Sequence, residues 1–398
     1  MSVIVHKVND NVHLLRSIDA NRKLFDELIP LPDGTSYNAY LIKGSEKTAL
    51  IDTTYPPKIE FLTNRLKELG VDKLDYIISN HAEQDHSGAI PKLLEIYPEA
   101  KIVTNAKCKA LIMEFLLVSD DKFIVVGDRE TLSLGDKTLE FILAPWVHWP
   151  DTMFTYLKED KILFSCDFLG SHLAIDDLFI TDEDNVYKAA KRYYAEIMMP
   201  FRAHIKKHLE KIDTLEVDLI MPSHGPSYQN PDFILNAYKD WASDNVKNEV
   251  VIAYVSMYES TRMMVDYLSQ ILTSNKITVK TFDLIKTDIG ELAMDIVDAA
   301  TIVIASPTVL TGAHPVAANA TYLVNALRPK TKFASIIGSF GWGGNMVEQL
   351  KGMLGNLKVE LIEPVMIKGQ PKEADFALLD SLAKEIINKH ENSMLIKA

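Results

Sequence analysis

From Tyr37 onward, apolar residues fall into short runs bounded by Gly, Pro, Asn or Asp. Runs of four to eight residues rich in Ile, Val and Tyr predict strands. Residues 40–43, 48–52 and 74–79 are the first three. Between them the period lengthens. Residues 58–69 set Ile59, Leu62, Leu66 and Leu69 on one face and stop at Gly70, which predicts an amphipathic helix with a glycine just past its end. Residues 89–97 read the same way, with Pro91 in the first turn. Residues 131–143 predict a hairpin around Gly135-Asp136, and 153–157 with 162–165 a second. Residues 182–216 read as helical, 219–221 as a strand, and 231–244 as a helix.

After Asn248 the alternation becomes regular. Strands at 250–255, 278–283, 301–305, 333–337 and 359–364 are interleaved with helices beginning near Thr261, Ile289, Pro315, Asn345 and Glu373. Five such units predict a doubly wound parallel sheet. The change of rhythm divides the chain into domains 1–248 and 249–398, both α/β. No repeat and no low-complexity segment interrupts them.

Composition narrows the function classes. Of 398 residues, 47% are hydrophobic and 24% charged, which is ordinary for a folded protein. The net charge of −13 repels phosphate backbones and anionic lipids, so neither nucleic acid nor a membrane is an expected partner. The basic stretch HIKKHLEK interleaves its lysines with Ile205 and Leu209, as a solvated helix face does. No apolar run reaches the roughly 18 residues that a membrane span needs, and the N-terminus lacks the pattern of a secretory leader. Two cysteines, Cys108 and Cys166, form neither a disulfide framework nor a Cys-x-x-Cys pair. A cytoplasmic location fits.

The densest chemistry is Asn80-His81-Ala82-Glu83-Gln84-Asp85-His86, placed between a strand and a helix. The pattern H-x-E-x-D-H arises by chance on the order of once per thousand such chains. A turn at a strand end can gather these side chains around one point, whereas an extended strand would send His86 to the opposite face. Three further candidates follow apolar runs in the same way: His148, Asp167 and His224. Each lies where a buried strand opens into a loop, the place α/β scaffolds use for function. The remaining imidazoles, His6, His13, His204, His208, His314 and His390, lack such acidic neighbours and read as structural or surface residues. No G-x-S-x-G elbow is present, and Cys166 reads as a buried strand residue.

A second constellation lies in the C-terminal half. Its first strand runs into Ser256-Met257-Tyr258-Glu259-Ser260-Thr261, hydroxyls at a helix N-terminus that can surround a phosphate. The third strand ends in Pro307-Thr308-Val309-Leu310, and the fourth in Ser339-Phe340-Gly341-Trp342-Gly343-Gly344. In sheet order 2-1-3-4-5 these loops meet at the carboxyl edge, where glycines admit a flat ring and Trp342 or Phe340 can cover its face. The loop pattern resembles that of flavodoxins, which implies FMN. No G-x-G-x-x-G follows the first strand, which disfavours a nicotinamide site.

Taken in order, H-x-E-x-D-H, His148, Asp167 and His224 resemble the metallo-β-lactamase fold in its flavodiiron subgroup. Hydrolases of that fold usually carry H-x-H-x-D-H and zinc. Here Glu83 occupies the second histidine's place, and its hard oxygen shifts preference toward iron or manganese. The carboxylates Glu83, Asp85 and Asp167 offset three of the four charges of a diferrous pair. The resemblance, which spans nearly the whole chain, implies an A-type flavodiiron protein: an αββα sandwich followed by a flavodoxin-like domain. It implies that His81, Glu83 and His148 hold one non-haem iron. Asp85, His86 and His224 hold the other, His86 being where members of the family differ, and Asp167 bridges the two. It places His172 and Tyr194 near the metals.

The implied activity is reduction of O2 to water or of NO to N2O, protecting the cell from either gas, with two electrons from reduced FMN and two from the iron pair. The implied assembly is a head-to-tail homodimer or a dimer of dimers. With no Cys-x-x-Cys in the sequence, the expected electron donor is separate, rubredoxin or reduced coenzyme F420. Two other classes remain open at this point. One is a zinc hydrolase with an appended electron-transfer domain, for which Glu83→His would be an improvement. The other is a flavin carrier whose first domain only docks a partner.

Overall fold

A computed structural model describes residues 3–396. It comprises two compact units. The first contains the chain up to Tyr194 together with Phe201–Ala242, and the second contains Ala195–Pro200 together with the chain from Ser243 onward. The second unit's first strand is Lys247–Tyr254, so it begins ahead of the expected boundary at 248.

The first unit stacks two sheets. One has seven strands in the order Val3–Lys7, Val12–Asp19, Thr35–Lys43, Thr48–Ile51, Tyr76–Ile78, Lys101–Thr104 and Phe123–Val125. The other has five, Thr131–Ser133, Thr138–Leu143, Met153–Leu157, Ile162–Cys166 and Leu219–Pro222. Strand periodicity builds the layers. Leu41, Leu50, Ile77 and Ile102 face a core shared with Leu62, Leu66, Leu93 and Ile112 of the flanking helices. Their neighbours Ile42, Ile51, Ile78 and Val103 face the opposite way, into a core shared with Phe141, Leu157, Phe164 and Met221 of the second sheet. On that sheet's outer side, Phe154 and Phe168 pack against His208 and Tyr238. This gives αββα layering, with the carboxyl ends of strands from both sheets at one edge.

The sequence pattern misses the first two strands, and it reads residues 182–216 as one helical stretch. The structure breaks that stretch into Glu183–Tyr193, a π-helical turn Tyr194–Met198, a 3-10 turn Met199–Phe201 and Arg202–Ile212.

In the second unit the strands run Thr278–Asp283, Lys247–Tyr254, Ala299–Val309, Phe333–Phe340 and then Glu360–Leu361, parallel throughout. The expected fifth strand at 359–364 is split. Pro364 has no N–H to give the ladder, and pairing resumes at Val365–Lys368. Among the described residues no helix is long and apolar enough to cross a membrane.

His390, on the last helix, is fully buried between Thr301 Oγ1 and Asn248 Oδ1, both at 2.7 Å. Burial pushes its pKa down to about 4 from 6.5. Below pH 6.5 the unfolded chain binds a proton that the folded chain refuses. The contribution of this site is therefore complete above pH 6.5 and is lost as pH falls toward 4, by about 2 to 3 kcal/mol. Urea unfolding at pH 7.5 and 4.5 should show that loss in the wild type and a smaller one in His390→Asn. Equal losses in both proteins would refute it.

Candidate metal centre

Four loops carry the seven predicted ligands to the shared edge of the two sheets. Strand Tyr76–Ile78 ends just before His81, and the single helical turn Gln84–Ser87 folds Asp85 and His86 back toward it. His148 follows strand Thr138–Leu143, Asp167 follows Ile162–Cys166, and His224 follows Leu219–Pro222. Fully buried Asp52 ties these ends together. Its carboxylate accepts from Asn80 N (2.8 Å), Asn80 Nδ2 (3.1 Å) and Ser223 Oγ (3.3 Å).

The ligand atoms form two sets that share one residue. His81 Nε2 and His148 Nε2 each lie 3.2 Å from Glu83 Oε2, and 3.7 and 3.6 Å from Asp167 Oδ2. His86 Nε2 and His224 Nε2 lie 3.0 and 3.1 Å from the other oxygen, Asp167 Oδ1, and 3.3 and 3.4 Å from the carboxylate of Asp85. Donor atoms about 2.0–2.2 Å from a first-row metal stand about 3.0–3.5 Å from one another, so both sets have the spacing of a coordination sphere. Asp85 Oδ1, His86 Nε2 and Asp167 Oδ2 are buried without a hydrogen-bond partner. Buried polar atoms are rarely left so, and a cation would satisfy all three.

The electrostatics agree. Burial opposes a charge on His81, yet Asp151, Glu83 and Asp167 hold its pKa far above the ordinary value. Against the same burial, Asp167 and Asp85 push His86 up to about 10. Burial would raise the Glu83 and Asp167 carboxyls, but His148 and His81 hold the first down, and His86 and His224 hold the second far down. For Asp85 burial wins and its pKa rises. Protons on the imidazoles thus answer a negative field that metal ions would otherwise neutralise.

Outer partners aim the ligands. Asp151 Oδ2 accepts from His81 Nδ1 (3.0 Å) and from Ala82 N (2.8 Å), so His81 presents Nε2 to the site. His224 Nδ1 donates to Ser36 O at 2.8 Å with the same result. Asp151→Asn should weaken metal binding about 10- to 100-fold, as losses of such partners do. Competition against a chromophoric chelator measures this, and unchanged affinity would remove Asp151 from the site's design.

The hydroxyl that reaches the cluster belongs to Tyr193, which donates to Asp167 Oδ1 at 3.0 Å. The ring of Tyr194, the tyrosine that the resemblance implies, packs against Tyr238 and Trp241, each 5.3 Å away between centroids. The chain turns π-helical at that point, so helical phase does not separate adjacent tyrosines. His172 stands beside the site, 5.2 Å from His224 between ring centroids, and shares a 2.9 Å hydrogen bond with Thr35 Oγ1 through Nδ1. Burial and His224 hold its pKa far below the ordinary imidazole value. Asp52, Asp151 and Tyr193 were not predicted. Asp52 carried the usable signal, an acid directly after the apolar run Ala49-Leu50-Ile51, whereas Asp151 stands three positions after His148. The Cys166 thiol is buried and lies close to His86 and Asp167.

In the second unit, Met257, Tyr258, Ser260, Thr261, Pro307, Thr308, Ser339, Phe340, Gly341 and Trp342 line one cleft, joined by the unpredicted Gly369. Gly343 and Gly344 line an adjoining cleft. Gly344 needs its glycine: φ is +151°, and a Cβ would lie 2.4 Å from Thr308 Cγ2. Ser256 Oγ accepts from Arg262 N, and no side chain caps helix Ser260–Ser274 at Glu259. Ser260 N donates to Tyr258 O at 2.9 Å, so the attraction this helix start holds for an anion rests mainly on its dipole. Val309 and Leu310 lie outside the cleft lining, as does Glu259. Trp342 is 81% exposed, so it serves no core.

Comparison with known proteins bears on this arrangement. Residues 35–225 match the family model described as ODP family beta lactamase. The chain is 35% identical to the nitric oxide reductase of Moorella thermoacetica, over 95% of this chain and 97% of that one. It is 34% identical to the coenzyme F420H(2) oxidase of Methanothermobacter marburgensis, over 81% and 83%. The solved rubredoxin oxygen:oxidoreductase of Desulfovibrio gigas superposes with a TM-score of 0.94 at 30% identity, covering 99% of this chain and all of that one. With two donor sets meeting on Asp167 in its first unit and a parallel sheet in its second, this chain belongs to the flavodiiron protein family.

Proposed function

We propose that this protein is an oxidoreductase that reduces O2 to water, NO to N2O, or both, at a non-haem diiron site supplied by FMN. The observation that carries the reading is Asp167 turning one carboxylate oxygen to each of two donor sets, with Glu83 in the first. In this reading His81, Glu83 and His148 hold one iron, Asp85, His86 and His224 the other, and Asp167 joins them. When bound, the iron pair and FMN supply four electrons, the number that reduction of O2 to water requires.

The chain's own residues position, admit and move protons. Asp151 and Ser36 O fix the Nε2 faces of His81 and His224. A pocket lined by Phe25, Leu31, Thr35, Tyr37 and Tyr55 together with the charged Arg22 and Asp26 opens beside Glu83, Asp85 and His172, and gives a small molecule a way to the site. Tyr193 holds a phenolic proton at Asp167 Oδ1, and neutral His172, whose Nε2 has no hydrogen-bond partner, stands beside His224. A role for Tyr194 near the metals stays within this proposal. In the second unit, the loop at 256–261 and the positive end of the helix that follows it would receive the FMN phosphate, and the loops at 307–310 and 339–344 its ring.

The proposal extends to a cytoplasmic, head-to-tail homodimer or dimer of dimers. Its electron donor would be rubredoxin or reduced coenzyme F420, as the names of the relatives suggest. The zinc-hydrolase alternative is disfavoured by Glu83 and by the relatives, which are named as oxidoreductases.

Metal and flavin analysis, followed by anaerobic stopped-flow of the reduced protein against each gas, tests this reading. Two irons and one FMN per chain, with flavin oxidation by at least one gas, are expected. Stoichiometric zinc with no gas consumption would overturn it.

A further inference from the structure

Arg16, in strand Val12–Asp19, is completely buried. Its guanidinium hydrogen-bonds to neutral oxygens. Nε donates to Asn38 Oδ1 (2.8 Å), Nη2 to Gly225 O (2.9 Å), and Nη1 to the carbonyls of Ile175 (3.4 Å) and Asp177. Burial pushes its pKa down only to about 10, so it keeps its charge at neutral pH.

These bonds belong to a set that fastens every carbonyl of residues 222–225, the turn that carries His224. Pro222 O accepts from Asn38 Nδ2 (2.8 Å) and Tyr40 OH (2.6 Å). Ser223 O accepts from Asn38 N (2.9 Å) and His224 O from Ser171 N (3.2 Å). Gly225 O accepts from Arg16 and from Asn38 Nδ2 (2.9 Å). The turn has no slack: Gly225 has φ +77°, and a Cβ there would meet Ser171 Oγ at 2.2 Å. Through Ile175 and Asp177, Arg16 also grips the loop that follows His172.

A buried cation is a weak source of stability, since well-packed apolar groups often serve as well or better. What a guanidinium adds is a planar fork of fixed geometry that can hold several carbonyls at set positions, which an ammonium on a flexible stem cannot. We propose that Arg16 is a positioning residue of the metal centre, setting the aim of His224 Nε2 and so the affinity of the Asp85, His86 and His224 position in particular. This rests on the two-metal reading above.

The test uses full-length apoprotein titrated with cobalt(II) alone, followed by its visible ligand-field absorption and by bound cobalt per chain. Wild type should take up two cobalt ions. Arg16→Lys, which keeps the charge but loses the fork, should bind one as wild type does and the other at least tenfold more weakly. Tyr40→Phe removes a single bond to Pro222 O and should weaken the same position to a smaller extent. Unchanged binding at both positions, or equal weakening of both, in Arg16→Lys overturns the proposal. If Arg16→Lys does not fold by circular dichroism, Tyr40→Phe decides by the same criterion. Failure of the wild type to bind two ions would count against the two-metal reading instead.

Discussion

An Asp167→Ala variant should lose both metal ions and its gas-reducing activity while keeping its flavin. Both donor sets use this carboxylate, one oxygen each, so neither retains its full complement without it. The vacancy also leaves His81, His86, His148 and His224 facing one another with a carboxylate fewer between them. Loss of an outer-shell partner alone costs 10- to 100-fold, so loss of a shared inner one should lower turnover by more than about a hundredfold. The flavin loops are in the other unit and should keep one FMN per chain. Iron analysis, flavin absorbance and oxygen-electrode rates on one preparation decide the matter. Full turnover would mean that the first unit serves only for docking.

Asp52→Ala should be among the most destabilising single changes in the first unit, at about 3 kcal/mol. Two donors of Asn80 and the Ser223 hydroxyl end on this carboxylate, and each buried donor left without a partner costs about 1–3 kcal/mol. Asn80 precedes His81 and Ser223 precedes His224, so metal affinity should fall along with stability. Asp52→Asn keeps the shape and one acceptor, and should cost less. Urea unfolding of the apoproteins measures the first effect and cobalt(II) titration the second. A change below about 0.5 kcal/mol, the range of ordinary surface substitutions, would show that the strand ends hold without Asp52.

The candidate metal ligands were legible because strand ends announce themselves. An apolar run followed within a few positions by an acid or an imidazole marks a side chain held at a sheet edge, as at His81, His148, Asp167 and His224. The parallel sheet was legible for a related reason, since the buried middles of its strands, residues 250–254 and 302–305, read as continuous apolar runs. What stayed hidden depends on pairing in space. Arg16 breaks the apolar pattern of its strand, and nothing local says that its charge ends on carbonyls roughly 160 and 210 positions away. Tyr193 and Tyr194 are adjacent in the sequence, and nothing local says that the hydroxyl of Tyr193 meets Asp167. The split of the fifth strand followed from Pro364, a breaker present in the sequence that the run's hydrophobicity outweighed.

The two donor sets mature at different moments of synthesis. Once residue 167 has left the ribosome, His81, Glu83, His148 and Asp167 all exist, whereas the companion set waits for His224 and for the strand just before it, Leu219–Pro222. During synthesis the second set is therefore complete only 57 positions after the first, when residue 224 has been added to residue 167.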